Sequence, residues 1–289
     1  MTPPVQLLII DAQNDFCDLP MAWCPADPLG GLDLAPALPV PGAHADMLRL
    51  AALIDGLGMA IDGITVTLDS HHLVDIAHPG YWRQGDGQAV APFTAITADD
   101  LHAGHFAPRD PAEHSRAQAY LDALDARGRY TLMVWPVHCQ MGSWGHGLHA
   151  AVLAACNRWE ERSLSPVRVV HKGDHPYTEH YSALEAEVPD PAVPTTQLNR
   201  TLLARLDLAG TLLVAGEASS HCVKATVEHL VQHLPSGQPQ RLRLLRDAMS
   251  PVTGFDAQAE TFFTAMAAAG VRSVSCADLM ADSRTGRGA

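Results

Sequence analysis

The sequence predicts an α/β fold: a doubly wound, mostly parallel sheet with helices on both faces, forming a single domain over residues 1–289 with a long insertion at 83–130. Three observations carry this expectation. Short apolar, β-branched runs alternate with stretches whose apolar residues recur at steps of three and four. No segment of the chain repeats another. Several of the runs end in a charged or nucleophilic residue, as strands do when they deliver side chains to a crevice beyond the carboxyl ends of a parallel sheet.

Gln6 to Ile10 is the first expected strand. It ends at Asp11 and leads into the loop DAQNDFCD, which holds Asp15 and Phe16. Pro and Gly crowd the stretch from Leu19 to Gly42, so it is expected to be a long irregular loop. His44 to Gly56 reads as a helix through Met47, Leu48, Leu50, Ala51 and Ile54. Ile64 to Leu68 is a second strand, again closed by an acid, Asp69, and followed by SHHLVDIAHPGYW. The first half of the insertion is polar and punctuated by Pro and Gly; Pro111 to Arg127 reads as a helix with Ala117, Tyr120, Leu121 and Leu124 on one side.

Thr131 to Val134 is expected as a third strand, running into WPVHCQMGSWGHGLH and a helix from near Gly147 to about Asn157. Val167 to Val170 is a fourth, ending in His171-Lys172-Gly173, and Tyr181 to Glu187 is expected to form one or two helical turns. A short helix over Thr201–Leu206 precedes the buried strand Thr211–Ala215. Six small or polar residues, Gly216 to His221, then lead to Cys222 and a helix whose apolar face is Val223, Val227, Leu230, Val231 and Leu234. A strand over Arg241–Leu245, a helix over Ala257–Ala269, a last strand over Val271–Val274 and a frayed SRTGRGA tail complete the chain.

Composition narrows the function. Hydrophobic residues make up 47% and charged ones 18%, the balance of a folded globular enzyme. A formal charge of −13 speaks against nucleic acid and anionic membrane as partners, since both need a basic face. No apolar run nears the roughly twenty residues that span a bilayer. The N-terminal MTPPVQLLIIDAQ lacks a basic n-region and reads straight into a strand, so a cytoplasmic protein without a signal peptide is expected. Its six cysteines show no CxxC pairing, consistent with reduced thiols. Sixteen histidines make a metal site worth seeking.

Two groups of residues carry chemistry. Cys222 stands where a strand turns into a helix, beside unpaired backbone N–H groups and the positive end of the helix dipole, where a thiol ionises readily and an oxyanion can be held. Asp11 can accept its proton, and Lys172 can supply the positive charge that keeps both ionised. The second group is Asp69-x-His71 with His138: a carboxylate and two imidazoles suit a divalent ion such as Zn, Mn or Fe. His78 is the candidate fourth ligand, with His72 or Asp75 as weaker substitutes.

These residues resemble those of the isochorismatase-like cysteine hydrolases, and within that family the nicotinamidase/pyrazinamidase branch. IIDAQNDFC resembles the opening strand with its aspartate, VHKG the lysine segment, GEASSHCVKATVEHL the nucleophile elbow and LRDAMSPV the segment after it, spanning residues 5 to about 280. The resemblance implies Asp11 as proton acceptor, Lys172 as charge partner and Cys222 as nucleophile. The backbone N–H groups of Ala218 and Cys222 would form the oxyanion hole, with a cis peptide just before Ala218. Asp69, His71 and His138 match the metal ligands, and Phe16 and Trp135 the aromatics flanking the substrate ring. The implied reaction converts nicotinamide, or a pyrazinamide-like aromatic amide, to the acid and ammonia through a Cys thioester. A homo-oligomer is expected, with the insertion as lid or subunit contact. Two alternatives stay open. One is an amidase of the same family acting on a ureido, carbamoyl or maleamate-type substrate, whose carboxylate Arg83 or Arg109 could bind. The other is a catalytically silent scaffold or binding module.

Overall fold

Leu7 to Ile10 are wholly buried, and this run forms the centre of a six-stranded sheet because the strands on either side of it are buried on both faces as well. The computed structural model describes residues 3–31 and 33–284. In chain order the strands are β1 (Val5–Ile10), β2 (Gly63–Asp69), β3 (Trp82–Gln84), β4 (Thr94–Ile96), β5 (Phe106–Pro108), β6 (Leu132–Val134), β7 (Arg168–Lys172), β8 (Thr211–Gly216), β9 (Leu242–Leu245) and β10 (Arg272–Val274). The helices are α1 (Ala43–Leu57), α2 (Ala98–His102), α3 (His114–Arg127), α4 (Ala150–Ser163), α5 (Arg200–Leu206), α6 (Cys222–His233), α7 (Asp256–Ala268) and α8 (Cys276–Arg284).

The main sheet runs β10-β9-β8-β1-β2-β7 and is parallel throughout. Its helices pack as groups, α4 and α8 against α1, and α7 against α6 and β10. Register decides where the chemistry sits. Ile10 lies opposite Gly216, and Asp69 opposite Lys172, so the carboxyl ends of β8, β1, β2 and β7 form one continuous edge. Among the described residues no helix is long and apolar enough to cross a membrane.

Four expectations need correction. Thr131–Val134 does become a strand, β6, but it pairs antiparallel with β4 outside the main sheet. Its apolar residues Leu132 and Val134 join a second cluster with Trp82, Ile96, Tyr120, Leu121 and Leu124, so the insertion and its flanks have a small core of their own. Tyr181–Glu187 forms no helical turn. Its N–H groups are taken up elsewhere: Ala183 donates to Thr226 Oγ1, Leu184 to Ser182 Oγ and Glu187 to Glu179 O. The helix placed near Gly147 begins at Ala150, because His149 N is drawn to Ala12 O while its Nδ1 caps Ala151 N. Finally, α8 reaches Arg284 where a frayed tail was expected; the remainder of SRTGRGA, residues 285–289, lies outside the described residues.

Candidate active site

The edge formed by β8, β1, β2 and β7 brings an acid, an amine and a thiol together. Lys172 Nζ lies 2.9 Å from Asp11 Oδ2 and 2.8 Å from Asp69 Oδ1, and donates to His180 O (2.9 Å) and Cys222 Sγ (3.6 Å). Asp11, Lys172 and Cys222 are 0%, 2% and 6% exposed, so bulk water does little to screen them. Asp11 sits past the end of β1 with a positive φ of 47°, held there by its N–H on Thr67 O (3.2 Å) and by Thr67 Oγ1 donating to its Oδ1 (2.5 Å). Gln13 locks Asp69 by bonding both its N–H and its C=O, each at 2.8 Å.

Electrostatics follow from this burial. Burial opposes a charged amine, but Asp11, Asp69 and Cys222 outweigh it and hold Lys172 well above its ordinary value, so it stays a cation. Burial and the neighbouring Asp69 raise the Asp11 carboxyl, against Lys172 and Thr67. The thiol departs from expectation. Burial, helped by Asp11 and Asp69, pushes Cys222 well above the usual thiol range despite Lys172. A helix terminus therefore does not ionise this cysteine by itself, and its proton has to pass to a neighbour.

The loop before α6 is shaped by backbone demands. Gly216 has φ +121°, and a Cβ there would lie 1.8 Å from Ile10 O, so only glycine lets β8 leave the sheet this close to β1. The Glu217–Ala218 peptide is cis, as the resemblance implies. Ala218 O accepts from both His221 N (3.0 Å) and Val223 N (3.1 Å), which fixes the turn. The N–H groups of Ala218 and Cys222 have no hydrogen-bond partner among the described residues, which leaves both donors available at the first turn of α6.

Beside this group lies a cluster of donor atoms. His71, His78 and His138 offer ring nitrogens within 4.8 Å of one another. Each ring's Nδ1 faces an acceptor: Asp75 Oδ2 for His71 (3.1 Å), His72 O for His78 (3.0 Å) and Pro136 O for His138 (2.8 Å). With the ring hydrogen on Nδ1 these bonds would orient the rings, while His78 Nε2 also lies 3.4 Å from His138 N and 3.2 Å from His138 Nδ1. Asp69 Oδ2 lies 3.1 Å from His71 Nε2 and 3.4 Å from His138 Nε2, so the carboxylate closes one side of the cluster. One buried carboxylate and three imidazoles gathered this closely are a donor set that fits a divalent cation. All four sequence-derived ligands are thus brought together. Asp75 stands behind His71 as its orienting carboxylate, and exposed His72 contributes only its carbonyl.

A narrow pocket of about 20 Å³ opens between the two groups. Phe16, Trp135, Leu38, Tyr181 and Val252 supply apolar wall, with Asp69, His138, Glu179, Ala218, His221 and Cys222 completing it. Phe16 packs on His138 (ring centroids 5.4 Å apart), and Trp135 donates from Nε1 to Tyr181 OH (3.1 Å). Arg83 and Arg109 do not line it; Arg109 instead borders a separate cavity with Tyr81 and Tyr177. Sequence reasoning missed Glu179, Tyr181 and His221. Glu179 and Tyr181 lie in the segment after Lys172, where only a Pro-rich loop and a weak helix were legible, and nothing in their spacing sets them apart. Glu179 is 4% exposed, accepts from His180 N through Oε1 (2.8 Å), and its Oε2 has no partner among the described residues.

Known proteins share both the fold and part of the sequence. A curated nicotinamidase from Escherichia coli K12 is 28% identical over 233 residues, 80% of this chain and 78% of that protein. A nicotinamidase/pyrazinamidase structure from Acinetobacter baumannii superposes with a TM-score of 0.61 at 18% identity, covering 96% of this chain and 99% of that one. The yeast nicotinamidase bound to the inhibitor nicotinaldehyde gives 0.60 at 18%, covering 94% and 99%. A zinc complex of the pyrazinamidase from Pyrococcus horikoshii gives 0.51 at 18%, covering 94% and 99%. No protein-family model matches the chain. The chain shares the fold of these nicotinamidase structures, and its sequence is similar to that of the curated nicotinamidase.

Proposed function

We propose that the protein is a metal-dependent cysteine amidohydrolase that converts nicotinamide, or a pyrazinamide-like aromatic amide, to the acid and ammonia. One observation carries the reading: Cys222, held in a buried group with Asp11 and Lys172, and His138, one of three clustered imidazoles, line the same small aromatic-walled pocket. Asp69, His71, His78 and His138 would hold one divalent ion, zinc, manganese or iron, which when bound supplies a Lewis-acidic anchor for the ring nitrogen.

The chain's own residues do the rest. Asp11 takes the Cys222 proton, and the thiolate attacks the carboxamide carbon, forming the S–C bond while the carbonyl electron pair moves to oxygen. The N–H groups of Ala218 and Cys222 accept that oxyanion. Asp11 returns its proton to the leaving nitrogen, ammonia departs, and a thioester remains. A water deprotonated by Asp11 then attacks the thioester carbon; the C–S bond breaks, releasing the acid and restoring the thiol. Lys172 keeps its charge throughout and steadies both anions. Phe16 and Trp135 flank the ring.

That neither Arg83 nor Arg109 lines the pocket supports a neutral aromatic amide over a carboxylate-bearing ureido, carbamoyl or maleamate-type substrate. We also read the 83–130 insertion as a cover beside the site, because Phe93 sets its ring against the pocket residue Trp135, with centroids 6.0 Å apart. The test is ammonia release from nicotinamide with elemental analysis of the same preparation. About one divalent ion per chain is expected. Cys222→Ala should lower kcat by on the order of 10⁴ or more while still binding nicotinate. Parent-like turnover in that variant would end the covalent mechanism.

A further inference from the structure

Two carboxyl groups meet beneath the nucleophile loop, and the mechanism uses neither. Glu217 is fully buried and Asp46 of α1 is 3% exposed, an unusual environment for acids. Both converge on Ser250, whose N–H donates to Glu217 Oε2 (3.0 Å) and whose hydroxyl donates to Asp46 Oδ2 (2.6 Å). Ser250 O in turn accepts from Ser219 N (2.9 Å). The loop is thus gripped on both sides of Ala218, at the Glu217 side chain and at the Ser219 backbone. Arg49 pairs with Asp46, and Asp18 and Cys17 face the same cluster. Two buried carboxyl groups beside one guanidinium do not readily ionise together; burial first, and then Asp46, push Glu217 well above the carboxylate range. This favours the protonated carboxyl, whose Oε1 has no hydrogen-bond partner among the described residues while Oε2 accepts from Ser250 N.

We propose that the Glu217–Ser250–Asp46 cluster is the positioning device of the oxyanion hole, fixing the loop backbone so that the unpartnered Ala218 N–H stays in the pocket wall. This rests on the covalent mechanism above. Glu217 is absent from the pocket lining and touches no reacting atom, so its effect passes entirely through Ala218. Such a device acts on the tetrahedral state more than on the bound amide.

The predicted signature is a split between kcat and KM, read alongside inhibition by nicotinaldehyde. That aldehyde adds to the thiol: an S–C bond forms, the carbonyl electron pair moves to oxygen, and the thiol proton ends on Asp11 or on that oxygen. Glu217→Leu should lower kcat on nicotinamide and weaken nicotinaldehyde inhibition by about the same factor, roughly 10- to 100-fold, with KM moving less than about twofold. Glu217→Gln, whose N–H can donate to Asp46 while its carbonyl accepts from Ser250 N, should recover most of both. Ser250→Ala, a small change that guards against a misfolded Leu variant, should shift both readouts severalfold in the same direction. Unchanged kcat and inhibition in Glu217→Leu, or equal losses in the Leu and Gln variants, would overturn the proposal while leaving the amidase intact. A parent protein that neither hydrolyses nicotinamide nor binds the aldehyde would remove the covalent reading, and this proposal with it.

Discussion

Lys172 has three N–H bonds to give and four neighbours that want them. His180 O, Asp69 Oδ1 and Asp11 Oδ2 lie within 2.9 Å of the ammonium and Cys222 Sγ at 3.6 Å, so the thiol is the weakest of its four partners. A carboxylate has about four acceptor sites, so Asp11 can hold Lys172 and still take the thiol proton. The residue-scale logic is equally strict at Gly216. A methyl group there would meet Ile10 O at 1.8 Å, and the φ of +121° is open essentially only to glycine. Gly216→Ala is expected to cost about 3 kcal/mol or more and to lower the urea midpoint of unfolding accordingly. An unchanged midpoint would mean that β1 and β8 can separate freely, which their six-residue parallel register argues against.

Elements explain what could and could not be read in advance. Parallel strands buried on both faces are continuous apolar runs, so β1, β2 and β8 were legible, and so were the residues at their ends, Asp11, Asp69 and Cys222. His138 was found by its residue type and neighbours, not by its strand, since β6 pairs locally with β4 and periodicity cannot say which sheet a strand joins. The 181–187 segment failed as a helix because Thr226, Ser182 and distant carbonyls compete for its backbone, a tertiary effect with no local trace. The start of α4 is a similar case, set by His149. This imidazole is wholly buried, caps Ala151 N and lies 2.9 Å from His44 Nδ1; burial first, then His44, lowers it to about 4. An unfolded histidine titrates near 6.5, so between these values the unfolded chain binds a proton that the folded one refuses. The stability due to neutral His149 is complete above about pH 6.5 and drains away as the pH falls toward 4. His149→Asn keeps a cap but cannot titrate, so its stability deficit against the parent should shrink between about pH 7.5 and about pH 5 in urea titrations.

At the scale of the whole molecule, one arginine joins parts that are far apart in sequence. Arg129 stands at the end of the insertion and donates to Glu187 Oε2 (3.2 Å), to Glu228 Oε2 on α6 (3.1 Å) and to His229 Nε2 (2.8 Å). It thus binds the insertion with its separate apolar cluster, the loop after Tyr181, and the helix that begins at Cys222 into one unit. Glu187 is the sensitive partner. Its side chain is 1% exposed, and burial lifts it to about 7 even with Arg129 opposing and Glu179 adding to the rise. Its folded value exceeds the unfolded one, so its contribution is present in full at acid pH and is lost as the pH rises through 7. Removing the guanidinium would raise the folded value further, because a buried carboxylate would then lack its main cation. Arg129→Ala should accordingly destabilise the protein by about 2 kcal/mol at pH 8 and by clearly less at pH 6, where Glu187 holds its proton and needs no cation. Urea titrations at the two values measure this directly. Equal losses at both would assign Arg129 a packing role and leave Glu187 a bystander. A loss confined to pH 8 would identify the Arg129–Glu187 pair as the charge contact that seats the insertion against the nucleophile helix.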